Sequence, residues 1–334
     1  MFALQWLMLM LAVSLLMFVL FEFSPLDPVQ AYIREQRVYY TPEQIAQLTE
    51  QFGTQYNWWE RYWWWLEGVV TKGLGKSILY KTDVGQLLVE RIRMSLPLMF
   101  SAWCLSGVFG YLLGVVMGNM ATRPLGRVLT RLNYVLMSTP AFWLGLLLVY
   151  VFAVELKWLP SALSSPIGVN TSEVSSLTRI KHLILPVLTL TISGIPPIAL
   201  YTKQKIQEEM AKEYMQFAML NGVDRFWDKL KLLFPNTILP VLVVQFTSIG
   251  ELFGGSVLVE QVFSYPGLGK ISVEAGIAED VPLIMGIVLV MSGIIFVGSK
   301  LIHWGVHLID PRLNEKEVPT CKRMLFKVKQ FPSA

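Results

Sequence analysis

Apolar residues in this chain come in long runs rather than in alternation. No charged residue interrupts Phe2 to Phe21, and further apolar runs cover 96–118, 132–156, 183–201, 238–259 and 283–308. A helix needs about 20 apolar residues to cross a hydrocarbon layer of roughly 30 Å, so the pattern predicts six transmembrane helices. The expected fold class is an all-α integral membrane protein. A first span occupies 1–21, an insert 22–93, a five-helix membrane core 94–310 and a polar tail 311–334. The first run lacks the basic leader and small-residue cleavage site of a signal peptide and reads as a retained helix. Gly194, Pro196 and Pro197 fall within the fourth span, where a kink or a break is expected, a kink being the simpler outcome.

Composition agrees with lipid as the solvent. The chain is 54% hydrophobic and 16% charged, against about 25% charged residues in soluble domains. The net charge of +4 is mild and its lysines and arginines are scattered, which argues against nucleic acid as a partner. Cys104 lies in an apolar run and Cys321 in the tail, so no disulfide is expected, and no Cys/His cluster has metal-ligand spacing. His303 and His307 share a helix face and read as interfacial packing. Gly73-Leu74-Gly75-Lys76-Ser77 resembles the end of a phosphate-binding loop, but Val70 stands where that motif needs its first glycine. With no nucleophile elbow and no carboxylate pair, the sequence predicts no enzyme and no cofactor.

Basic residues in the short loops set the orientation. Arg123, Arg127 and Arg131 fill one loop, six lysines and arginines fill 203–236, and six fill the tail. Both termini are therefore expected in the cytoplasm and the insert outside. Within the insert, Thr41-Pro42-Glu43-Gln44 reads as a capping box with proline at the first helical position. A second helix is expected over 56–70, carrying Trp58, Trp59, Trp63, Trp64 and Trp65. Those indoles suit either the membrane interface or another subunit.

The 203–236 loop reads as helix, glycine turn, helix. Ile206, Met210, Tyr214, Phe217 and Ala218 fall on one helical stripe. Gly222 can end that helix in the left-handed conformation, and Asp224 can cap a second one. Phe226, Trp227, Leu230, Leu233 and Phe234 would form the second apolar face, with Pro235 ending it. Such an element is either an ordinary amphipathic surface helix or a docking handle for a cytoplasmic partner.

Tyr214, Ala218, Gly222, Asn236 and Pro240 match the spacing of the signature loop of ABC-importer permeases, in the oligopeptide/dipeptide/nickel branch. The resemblance runs along nearly the whole chain. It includes Asp27-Pro28, Leu74-Gly75 with Ser77, Ser138-Thr139-Pro140-Ala141-Phe142-Trp143-Leu144, His182-Leu183-Ile184-Leu185-Pro186, Val262 to Gly269 and Asp310-Pro311-Arg312. The chain departs from the family at Leu26, Gln216, Met219, Asn221, Pro235 and Val281. The resemblance implies a type I importer fold, a second permease subunit, two cytoplasmic ATPases docked on the signature loops and an extracytoplasmic solute-binding protein. It implies a bacterial inner-membrane location and peptides, metal chelates or haem-related molecules as cargo. Independently of the resemblance, Glu251 is expected on the translocation path or on a polar partner. An ionised carboxylate at mid-bilayer costs about 2.5–3.5 kcal/mol on insertion scales. Gly250, Gly254 and Gly255 beside it would allow close helix approach. The rival reading is a lone secondary transporter or channel, which would require several intramembrane polar groups. A third, less supported, is an assembly factor binding through the tryptophan-rich insert.

Overall fold

The computed structural model describes residues 2–23, 28–36, 39–52, 56–163 and 175–309. Among them regular structure is helical, apart from one isolated bridge between Lys76 and Asp83. In chain order the helices are α1 (Phe2–Glu22), α2 (Pro28–Gln36), α3 (Pro42–Phe52), α4 (Trp58–Thr71), α5 (Val84–Asn119), α6 (Pro124–Met137), α7 (Ala141–Val149), α8 (Ser176–Met210), α9 (Glu213–Leu220), α10 (Phe226–Thr247), α11 (Ile249–Val262), α12 (Leu268–Ile277) and α13 (Val281–Ile309). A π-helical turn, Tyr150–Glu155, continues α7. Leu26, Asp27, Cys321, Arg312 and the tail lie outside the described residues, as do the side chains of His303 and His307.

Among the described residues five helices are long and apolar enough to cross a membrane: α1, α5, α8, α10 and α13. A sixth span exists only if α6 and α7 count as one, and these meet at 102°. The run 132–156 is therefore not a single straight helix. Its break falls at Ser138–Pro140, because a residue before proline is pushed out of the helical region and Pro140 then becomes the cap of α7. The run 238–259 is also divided, at Ser248 between α10 and α11. Conversely, α10 starts at Phe226 and passes through Pro235, so that proline does not end it. Helix α8 likewise continues unbroken through Pro186, Pro196 and Pro197. The boundary expected at 93/94 lies inside α5, which begins at Val84 with Asp83 capping the amide of Gln86 at 3.0 Å. At 1.5 Å per residue, α5 and α8 are each about 50 Å long and overreach a bilayer core by about 20 Å.

The core is organised by a glycine seam. Gly110, Gly114 and Gly118 on α5 face Ile198, Thr202 and Ile206 on α8. A Cβ added at Gly110 would lie 2.8 Å from the Ile198 Cβ, at Gly114 2.4 Å from the Thr202 Cβ, and at Gly118 2.6 Å from the Ile206 Cγ2. Small residues at every fourth position let two backbones touch, and in lipid such packing replaces the missing hydrophobic drive between helices. Helix α10 joins this pair through Tyr111 and Thr237, whose hydroxyls lie 2.9 Å apart. It also joins through a reciprocal pair: the Trp103 indole donates to the Gln245 carbonyl at 2.8 Å and the Gln245 amide to the Trp103 carbonyl at 2.6 Å.

Two buried carboxylates fix the helix ends on the opposite side from the 203–236 loop. Asp280 caps α13, accepting from the Leu283 amide at 3.1 Å. It also accepts from the Ser77 hydroxyl at 2.6 Å and the Leu79 amide at 2.9 Å. The segment that resembled a phosphate-binding loop is thus a turn stapled to α13, with Gly73 and Gly75 at φ +85° and +82°. Glu260 takes the amides of Gly269 and Lys270, in the first turn of α12, at 2.7 and 3.2 Å, and the Ser95 hydroxyl at 2.5 Å. The insert carries α2 to α4. The Thr41 capping box is present, with Thr41 donating to the Gln44 side chain at 2.9 Å and Gln44 donating back at 3.3 Å. Arg34 of α2 pairs with Glu279 just before α13.

The seam makes a direct prediction. Gly114→Leu forces Thr202 and the Ala199 carbonyl aside, and overpacking of this kind costs about 1–3 kcal/mol or more. The purified variant is expected to melt several degrees lower or to aggregate in detergent, as read by size-exclusion chromatography after heating. Gly68→Leu, where a Cβ meets nothing within 4 Å, is expected to behave as the parent. Equal stability of the two variants would contradict the seam.

Candidate functional site: a latched helical elbow

Past the seam, α8 continues out of the apolar region to Met210. There the chain breaks: Lys212 is extended, with φ −71° and ψ 149°, and caps the short helix α9. The break resets the helical phase, so the single stripe expected from Ile206 to Ala218 does not exist. Ile206 is buried on α8, Met215 is the buried residue of α9, Phe217 faces outward and Tyr214 is partly exposed.

A carboxylate holds the elbow. Glu209, on the last turn of α8, is buried. One oxygen takes the Lys212 ammonium at 2.5 Å and the other the Tyr214 hydroxyl at 2.8 Å. The Tyr214 oxygen in turn accepts from the Asn236 amide at 3.2 Å. One chain of hydrogen bonds therefore joins α8, α9 and α10. Burial first, and then the bond to Glu209, push the Tyr214 hydroxyl above its usual pKa, so it remains a donor near neutral pH. Pro240 lies one turn beyond Asn236 and lacks the amide that would bond the Asn236 carbonyl, which loosens α10 locally.

Gly222 closes α9. It sits at φ +90°, in the left-handed region where glycine is at ease. Its amide bonds the Met219 carbonyl and the Val223 amide bonds the Ala218 carbonyl, both at 3.1 Å, the two bonds of a Schellman cap. Half-buried Ala218 thus supplies the carbonyl that ends its own helix. Asp224 does not cap α10: Arg225 holds that place, and the exposed Asp224 carboxylate instead lies 3.7 Å from Lys229. Of the second apolar face, only Leu233 is fully buried. Phe217, Leu220 and Trp227 stand 71%, 87% and 70% exposed around the Gly222 turn. Three large apolar side chains this exposed around one turn offer a contact surface.

Glu251 lies elsewhere, in the first turn of α11, where the positive end of the helix dipole favours a carboxylate. It is exposed and makes no hydrogen bond or ion pair with the described residues. Gly250 and Gly254 are also exposed, and an added Cβ at either would meet nothing within 4 Å. These glycines therefore do not serve close packing among the described residues. At Gly255 the nearest atom is a Leu190 methyl at 3.8 Å, an ordinary contact. Glu251, Gly250, Gly254 and Leu258 form an open stripe on α11.

Residues 110–315 match the family described as the binding-protein-dependent transport system inner membrane component. The chain belongs to this family. It is 29% identical to the oligopeptide transport system permease protein AppB of Bacillus subtilis, over 91% of this chain and 95% of that one. It is 30% identical to the glutathione transport system permease protein GsiC of Escherichia coli O6:H1, over 84% and 86% of the two chains. A permease protein of Brucella suis biovar 1 is 32% identical over 91% of this chain and 95% of its own. Among solved structures, a chain of the MetNI methionine ABC transporter in an inward-facing conformation superposes with a TM-score of 0.53. It shares 17% identity and covers 67% of this chain and 97% of its own. That likeness establishes the fold of the helical core. The protein is a multi-pass membrane permease subunit of the ABC transporter class, and its family transports rather than catalyses.

Within the permease, three buried, hydrogen-bonded carboxylates were not expected from the sequence. Nothing in local spacing marks Glu209, Glu260 or Asp280, whose partners lie on other elements or across a helix break. Glu260 explains the Pro266-Gly267-Leu268-Gly269 motif. A Cβ at Gly267 would come within 2.4 Å of its carboxyl carbon, and one at Gly269 within 2.4 Å of the Val257 Cα.

The elbow network is testable by a double-mutant cycle. Tyr214→Phe and Asn236→Ala should each destabilise α9, measured as faster amide exchange at 213–220. The pair should cost less than the sum, by an interaction energy of about 0.5–1.5 kcal/mol. Strict additivity would show that the two residues act separately.

Proposed function

We propose that this chain is the permease subunit of an ATP-driven ABC importer of peptides, and that residues 203–236 are where a cytoplasmic ATPase docks. The observation that carries the reading is the apolar cluster of Phe217, Leu220 and Trp227, held on an elbow latched to the end of the long helix α8. A push on that cluster reaches α8 through Glu209 and Tyr214, then α5 through the glycine seam, without a flexible joint between. In this reading a second permease subunit completes a path of about twelve spans, six from each chain. Two ATPases supply the energy, and an extracytoplasmic binding protein delivers solute to the side bearing the insert. The basic residues of 203–236 and of the tail support a cytoplasmic location for both. The names of the Bacillus and Escherichia relatives, oligopeptide and glutathione, support a peptide rather than a metal chelate or haem-type solute.

The open stripe of Glu251, Gly250 and Gly254, with Gly255 at its edge, supports a place on the solute path. A carboxylate with no partner among the described residues needs water, solute or a second subunit to face. The carboxylates Glu209, Glu260 and Asp280 are already engaged in latches and caps, which leaves little for a stand-alone ion-coupled transporter to use.

Peptide uptake by the assembled transporter tests both parts. Nothing lies within 4 Å of a Cβ at Gly222, so Gly222→Asp should still reach the membrane and fold. Its left-handed conformation, however, costs a non-glycine residue about 1–2 kcal/mol, and the charge lies beside the apolar cluster. Uptake should fall to background and the ATPase should no longer co-purify; normal uptake would sink the docking role. In the same assay Glu251→Gln should lower uptake or alter the preference among peptides. If neither changes, the stripe is not the path.

A further inference from the structure

Helix α4 has three faces with different chemistry. The first is buried in protein. Tyr62, Trp65 and Leu66 pack on Phe18 and Phe21 of α1 and on Met285 of α13. The Tyr62 and Ser14 hydroxyls lie 3.0 Å apart, and the Tyr62 ring meets Phe18 edge-on at 5.5 Å. The second face is a stripe at helical spacing, Trp59, Trp63 and Val70, exposed by 48%, 64% and 79%. The third, one residue further round, carries Glu60, Glu67 and Thr71, with half-exposed Trp64 at its far edge meeting the Tyr56 ring edge-on at 4.6 Å.

The contact with Ser14 sets the depth. Ser14 lies eight residues before the end of α1 at Glu22, or about 12 Å along the helix axis. Tyr62 reaches down to it, so α4 lies beside the apolar body of α1 rather than beyond its end. Around α1 at this level, Leu11, Leu15 and Leu16 are exposed, and only 6% of the span is buried in protein. The surface of α1 at this level is thus apolar and left uncovered by the described residues. A helix with one apolar and one acidic exposed face, at a depth of roughly 5–10 Å, has the form of an interfacial membrane helix, and indoles are the side chains that such a zone favours.

We propose that α4 is an interfacial helix whose Trp59, Trp63 and Val70 stripe inserts among the phospholipids of the leaflet where α1 ends, with Glu60 and Glu67 turned to water. The partner is the bilayer itself, and the effect is to hold the insert at a fixed height on the membrane. The inference rests on the chain being a membrane permease but not on ATPase docking or on the solute.

The test uses the assembled transporter reconstituted in phosphatidylcholine vesicles, with and without lipid brominated on its acyl chains. The emission lost on converting Trp59→Phe together with Trp63→Phe isolates these two indoles. That component should be quenched about twofold or more by bromines on carbons near the glycerol, less by bromines at the chain end, and little by iodide in the buffer. Trp65→Phe serves as the protein-buried comparison. Quenching by iodide and not by bromolipid would place the stripe in water, and quenching by neither would place it against a protein partner. Either result overturns the proposal. If the double variant does not accumulate, Trp63→Tyr gives the same comparison. Peptide uptake by the same vesicles, read in parallel, separates loss of the lipid contact from loss of transport.

Discussion

No side chain separates α5 from α8 at Gly110, Gly114 and Gly118, and the rest of the permease is arranged around that contact. In a bilayer, lipid tails are as apolar as leucine, so helices are held by close fit and by the few polar bonds that lipid cannot replace. The seam supplies the fit. It extends from Ile198 to Ile206, almost to the elbow, so the part of α8 that carries Glu209 is braced where it leaves the apolar region. In the proposed coupling a rigid α8 matters, because a handle transmits movement only if its shaft does not bend. The prolines at 186, 196 and 197 would weaken an isolated helix, but α8 is unbroken with α5 along its side.

The polar bonds obey a common rule: each buried acid is placed where backbone amides or hydroxyls converge. Glu260 serves the amides at the start of α12, and Asp280 those at the start of α13. Unpaired helix-end amides are costly away from water, and a carboxylate satisfies two or three at once while matching the helix dipole. Both acids also reach back in sequence, to Ser95 and to Ser77, so each joins elements far apart in the chain. Glu209 follows the same rule with side-chain donors. Glu251 differs in being exposed on an open stripe, with no partner among the described residues.

Much of this was legible in the sequence. Apolar runs located the membrane helices, the Thr41 box predicted its cap, and Gly222 was read correctly as the end of a helix. What failed had local causes. Run length does not reveal a bend, so the Ser138–Pro140 and Ser248 breaks were smoothed into single spans. Helical periodicity was carried across Lys212, where the chain leaves the helix and the phase restarts. Prolines were read as terminators, yet Pro235 lies within α10, because neighbouring helices stabilise what an isolated helix would lose. The seam was available as glycines at every fourth position. The roles of Glu209, Glu260 and Asp280 were not, because their partners lie on other elements or across a helix break.

The central claim is that the apolar cluster around the Gly222 elbow is the surface an ATPase grips. A photo-crosslinking amino acid placed at Leu220, the most exposed residue of the cluster, tests it most directly. On illumination of membranes containing the assembled transporter, the account predicts one major adduct, with the ATP-binding subunit, that disappears when the probe is moved to buried Met215. An efficient adduct with lipid or with the external binding protein, and none with an ATPase, would contradict it.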